Sequence, residues 1–134
     1  MRTLLLLVDD RVIIKSLRST LSQYRLIHAT TAEQALRLFV DHGRYVDLFL
    51  TDIAVGSAGL RLAMFLRSEM RSLPVVVIAG DPTKNWTARD SVDLHRLGKS
   101  SVTILNRPVQ PRVLVRSVEE LLEHLPPNPP RAPH

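Results

Sequence analysis

From Thr3 to Leu125, short apolar runs alternate with stretches in which apolar residues recur every three or four positions. Thr3 to Val8 reads as a first strand. Ile13, Ile14, Leu17 and Leu21 then fall on one helical face, with Asp10 placed to cap the start of that helix. A second, shorter strand is expected at Arg25 to Ala29. Thr31 precedes a second amphipathic helix carrying Ala32, Ala35, Leu36 and Phe39, which ends at Gly43. Val46 to Thr51 reads as a third strand. A loop with Gly56 and Gly59 leads to a helix that aligns Leu62, Leu66 and Met70. Pro74 to Ala79 and Val102 to Leu105 read as fourth and fifth strands, separated by a helix expected over Ala88 to Leu97. A final helix over Val109 to Leu125 sets Leu114, Val118, Leu121, Leu122 and Leu125 on its buried side.

Five strand–helix units in succession predict an α/β fold. The third and fourth strands are apolar almost throughout, as strands covered on both faces are. The expected architecture is a doubly wound, flavodoxin-like parallel sheet of five strands in the order 2-1-3-4-5, with five helices. Right-handed crossovers bring every strand's C-terminal end to one edge, where such folds bind their ligands.

Composition narrows the picture without redirecting it. A chain of 134 residues that is 45% apolar suits one domain with one core, expected over residues 1 to 125. Five of the nine prolines stand in residues 126 to 134, so that tail cannot continue the helix and is expected to be disordered. No repeat and no second domain is apparent. The longest apolar runs, Leu4 to Val8 and Val75 to Ala79, are too short to cross a bilayer, no export signal opens the chain, and there is no cysteine. These features point to a cytoplasmic protein. The net charge of +5 raises nucleic-acid binding, but the basic residues are dispersed, aromatics make up 4%, and no helix-turn-helix or zinc-finger pattern appears. A solvated basic surface that favours an acidic protein partner is the expectation.

The candidate chemistry lies at the acidic strand ends. LLLLVDD finishes in Asp9 and Asp10, and LFLTDI carries Asp52. Carboxylates gathered at one sheet edge repel one another unless a cation joins them, so the three form the raw material of a magnesium site and of phosphoryl chemistry on an aspartate. Arg107, just past the fifth strand, belongs to the same edge. The histidines at 28, 42, 95, 124 and 134 have no metal-cluster spacing. His28 reads as a packed or edge residue, and Trp86 as packing for the helix that follows.

LLLLVDD, LFLTDI, PVVVIAGD and ILNRPV, in this order and spacing, resemble the response-regulator receiver domain of two-component signalling. The resemblance covers about residues 3 to 124. It implies that Asp52 is the phosphoacceptor, attacking a phosphohistidine to give an acyl phosphate. It also implies that Asp9 and Asp10 hold Mg²⁺ together with Asp52 and the main-chain carbonyl of Ala54. Several positions depart from the pattern. Ala79 stands where receivers carry a threonine or serine whose hydroxyl donates to the phosphoryl group. Arg107 replaces a lysine, keeping the charge but not the shape. Ile104 replaces the aromatic that turns inward on activation. The loop IAVGSAG lacks the usual methionine-proline and is one residue short. Asp81 reads as a loop or cap residue, and the resemblance implies a cis peptide at Arg107–Pro108. The phosphoryl-accepting groups are thus retained, while those of the usual conformational switch are lost.

The expected function is an atypical, stand-alone receiver that accepts a phosphoryl group from a sensor histidine kinase or phosphotransfer protein. Its downstream protein partner would dock on the face formed by the helix at 88 to 97, the fifth strand and the final helix, where Arg89, Arg96, Lys99, Arg112 and Arg116 lie. A monomer or weak homodimer is expected, with neither nucleic acid nor membrane as partner. The alternative is a pseudo-receiver, a binding module independent of phosphorylation. The chain is not expected to be an enzyme: a haloacid-dehalogenase type of hydrolase needs a second aspartate two residues past the nucleophile, and Ala54 stands there. A dinucleotide fold is disfavoured because no GxGxxG follows the first strand.

Overall fold

The computed structural model describes residues 2–42, 45–52, 57–70, 72–79, 102–106 and 109–123. The chain runs β1 (Thr3–Leu7), α1 (Arg11–Thr20), β2 (Arg25–Ala29), α2 (Ala32–Asp41), β3 (Leu48–Asp52), α3 (Ser57–Glu69), β4 (Val75–Ala79), β5 (Val102–Asn106) and α4 (Pro111–Glu123). The helix expected at 88–97 and the tail at 126–134 lie outside the described residues. The five strands form one parallel sheet in the order β2-β1-β3-β4-β5, as the alternation predicts.

Strand alternation divides the core into two halves, one on each face of the sheet. Leu4, Leu6, Leu48, Leu50, Val76 and Ile78 face α1 and α4, which supply Ile14, Leu17, Leu114, Val118 and Leu122. Leu5, Leu7, Phe49, Val75 and Val77 face α2 and α3, which supply Ala35, Phe39, Leu60, Ala63 and Leu66. Each fully buried leucine or valine contributes about 1.5–3 kcal/mol of transfer free energy, so this two-sided core fixes the strand register. The predicted core faces hold in the described helices, with Ile13, Ala32, Leu36, Met70 and Leu121 only partly buried.

Helix starts follow their caps. Asp10 Oδ1 accepts from the amides of Val12 (2.9 Å) and Ile13 (3.4 Å), and Thr31 Oγ1 accepts from Gln34 N at 3.1 Å. Most boundaries fall within one or two residues of the sequence reading, and two of the differences have a visible consequence or cause. The third strand begins at Leu48 and not Val46, because Asp47 turns its carboxylate back to accept from Thr3 N at 2.7 Å. Gly59, read as loop, lies inside α3.

Candidate functional site

The chain leaves β1 to build β2 on one side, then crosses to place β3 on the other. The gap between the C-terminal ends of β1 and β3 is therefore the topological switch point of the sheet, where a crevice opens for ligands. Asp9 and Asp10 follow β1, and Asp52 is the last residue of β3, so all three predicted acids flank this point. Their surroundings differ. Asp9 and Asp10 are exposed. Asp52 is 1% exposed. It is paired in register with Ile78 of β4 and lies on the same face as Leu48 and Leu50, the face covered by α1 and α4.

The three share an edge without forming a tight cluster: among the described residues no group of three His, Cys, Asp or Glu is close enough to hold a metal ion. Two physical reasons are visible. One oxygen of Asp10 is committed to the α1 cap, and Asp52 is drawn into the sheet edge while the pair after β1 stands in solvent. The donor chemistry nevertheless fits a hard dication, being entirely oxygen. Mg²⁺ commonly binds through one or two carboxylates and completes its shell with water, so it does not require three converging acids.

The other predicted site positions are placed only in part. Ala79 ends β4, with its backbone paired to Asn106 of β5. Ala54, Arg107, Asp81, Trp86 and the Arg107–Pro108 peptide lie outside the described residues, as do Arg89, Arg96 and Lys99 of the expected partner face. Of that face, β5 exposes Ile104 and α4 exposes Arg112, Val113 and Arg116. A crevice of about 400 Å³ runs between α1 and α4, with Asp10 at its rim and Ile13, Leu17, Ile78 and Leu114 in its walls.

Sequence reasoning missed two residues that shape the site. The ring of His28, half-buried on β2, contacts the Val8 carbonyl through Nε2 at 2.8 Å, immediately before the acidic pair. Thr51, beside Asp52, is 1% exposed, and its hydroxyl has no hydrogen-bond partner among the described residues. It packs against Gly59 at the start of α3. Neither contact has a local signal, since both depend on which elements the fold brings side by side.

No family model matches the sequence, and no curated protein matches it. Solved structures do match. The signal receiver domain of an HD domain-containing protein from Pseudomonas fluorescens Pf-5 superposes with a TM-score of 0.76 at 25% identity, over 92% of this chain and 95% of that one. The signal receiver domain of a signal transduction histidine kinase from Syntrophus aciditrophicus gives 0.76 at 21% identity, over 97% of this chain and 96% of the other. A CheY-like response regulator receiver domain protein from Methanospirillum hungatei JF-1 gives 0.75 at 22%, over 92% and 94%. With near-complete coverage in both directions, a five-stranded 2-1-3-4-5 sheet and acids at its switch point, the chain has the fold of a response-regulator receiver domain.

Proposed function

We propose that this chain is a phosphoryl-accepting receiver in two-component signalling, with Asp52 as the acceptor. The observation that carries the reading is the position of Asp52: a buried carboxylate at the C-terminal end of β3, at the switch point of a receiver fold, with two further carboxylates on the neighbouring loop. In the proposed step a carboxylate oxygen of Asp52 attacks phosphorus of a phosphohistidine on a sensor kinase or phosphotransfer protein. The new bond is P–O, the bond broken is P–N, and the imidazole departs with its electron pair. Asp9, Asp10 and Asp52, with the Ala54 carbonyl, would hold Mg²⁺, which when bound neutralises charge on the phosphoryl oxygens. Arg107 is proposed to take the role of a lysine as the cationic phosphate contact. Burial of Asp52 on the α1 and α4 side limits access of bulk water to the reacting carboxylate. The protein is proposed to act in the cytoplasm through protein contacts and not as an enzyme. No helix among the described residues is long and apolar enough to cross a membrane. Ile104 is exposed on β5, and Arg112, Val113 and Arg116 are exposed on α4; the two exposed arginines suit an acidic protein partner.

A pseudo-receiver that signals without phosphorylation is the second reading, and two observations favour it: the acids form no three-membered cluster among the described residues, and position 79 is an alanine with no hydroxyl to donate. One experiment separates the two. Incubation with Mg²⁺ and acetyl phosphate, followed by intact-mass measurement, is expected to show the gain of one phosphate in the native chain and none in Asp52→Asn. An unmodified native chain under saturating donor would leave the pseudo-receiver as the surviving reading.

A further inference from the structure

We infer that His28 is a positioning residue for the acidic pair, acting by donating a hydrogen bond to the peptide that launches Asp9. The inference rests on the reading of Asp9 and Asp10 as the metal-holding pair. In the parallel register Leu6 stands opposite His28 and Leu7 opposite Ala29. The ladder runs one bond further, Val8 N donating to Ala29 O at 3.1 Å. The Val8 carbonyl lies on the same side of β1 and would next need a donor from β2, but the chain has already turned away: Thr30 and Thr31 enter the cap of α2, where Thr30 N donates to Gln34 Oε1 at 2.9 Å. The ring of His28 supplies the missing donor, with Nε2 at 2.8 Å from the Val8 oxygen. A carbonyl only accepts, so the contact requires the proton on Nε2.

This bond controls a specific degree of freedom. Val8 is the last residue held by the sheet, and Asp9 is the first beyond it. The Val8–Asp9 peptide plane sets the direction from which the Asp9 side chain leaves the strand. Asp10 is fixed independently, by the amides of Val12 and Ile13. Asp9, exposed and one residue earlier, has no such side-chain cap among the described residues, so its backbone sets its aim. His28 therefore stands to the acidic pair as an outer-shell partner stands to a metal ligand: it does not touch the ion, yet fixes where a ligand points. Losing such a partner typically costs 10–100-fold in metal affinity, and the lower end is expected here because the bond acts through one peptide.

The test compares His28→Ala with His28→Gln, whose amide nitrogen can reach the position of Nε2. Calorimetric titration with Mg²⁺ is expected to show about tenfold weaker binding for His28→Ala and near-native binding for His28→Gln. In the metal-free protein, the Asp9 amide resonance is expected to move in the alanine variant and return in the glutamine variant, while long-range ¹H–¹⁵N spectra show the native ring protonated at Nε2. Equal loss in both variants would assign His28 a packing role and overturn the inference, as would native affinity in the alanine variant. A native chain that binds no Mg²⁺ would instead remove the metal reading, and the metal-free amide shifts would then decide the positioning role by themselves.

Discussion

At the scale of single residues, the tightest constraint beside the proposed acceptor is the contact between Thr51 and Gly59. A methyl group on Gly59 would stand 3.3 Å from Thr51 Cβ and overlap Thr51 Oγ1 outright. The threonine is β-branched and sits on a central strand, so it has little freedom to yield. Helix α3 can approach β3 this closely only because position 59 has no side chain. Gly59→Ala would gain about 1 kcal/mol of helix propensity, but overpacking at a buried seam costs about 1–3 kcal/mol. Net destabilisation is expected in urea unfolding. Thr51→Ala in the same chain removes the overlapping oxygen, so the double variant should be less destabilised than the sum of the singles, with a coupling of about 1 kcal/mol or more. Strict additivity would show that the two residues do not touch in solution. The Thr51 hydroxyl is itself buried without a partner among the described residues. Replacing it with the isosteric Val should be neutral or stabilising by about 1 kcal/mol.

At the scale of elements, Asp10 combines a structural and a proposed chemical role, and the two can be separated. Its Oδ1 caps α1. Asn caps a helix as well as Asp does but carries no charge, whereas Ala does neither. Asp10→Ala should therefore lose about 1 kcal/mol of stability in denaturant unfolding, while Asp10→Asn should stay near the native value. Both should weaken Mg²⁺ binding. If Asp10→Asn proves as unstable as Asp10→Ala, the cap seen at α1 is not contributing. The same residue shows what could be read from the sequence. An acid before an amphipathic stretch is a local signal, and the α1 cap, the acidic ends of β1 and β3 and the strand order all follow from local patterns or chain order. What could not be read depends on non-local placement. The His28 contact needs the register of β2 against β1. Gly59 looks like loop until α3 is laid on Thr51. The late start of β3 reflects Asp47 reaching across to Thr3 N, 44 residues away. The aim of three carboxylates belongs to the same class: their shared edge follows from topology, but the difference between exposed Asp9 and buried Asp52 is set by packing.

At the scale of the whole molecule, the two edges of the sheet carry separate electrostatics. The C-terminal edge holds the acids of the proposed site. The N-terminal edge gathers Arg2, Tyr24, Glu119 and Glu123 around a small pocket, with Asp47 3.9 Å from Arg2. A five-residue strand separates the two edges by about 17 Å, beyond the screening length of about 8–10 Å at physiological salt. Burial pushes the Tyr24 phenol up from its usual value. Glu119 and, more weakly, Glu123 push the same way, against a hydrogen bond from Gln23 and the charge of Arg2. The folded state therefore keeps this proton to higher pH than the unfolded chain, whose tyrosine titrates near 10. Below that pH both states are protonated and Tyr24 contributes no pH dependence. Above it the unfolded chain releases the proton first, and stability falls as pH rises towards the folded value. Urea unfolding of the native chain should thus lose stability more steeply above about pH 10 than Tyr24→Phe does. Glu119→Gln should lie between them, because it removes the largest charge contribution but not the burial. Since the far edge is screened from this one, Tyr24→Phe should leave Mg²⁺ affinity unchanged. A drop in that affinity would mean that the two edges are coupled through the sheet, and a native alkaline slope in Tyr24→Phe would mean that the phenol is not the group responsible.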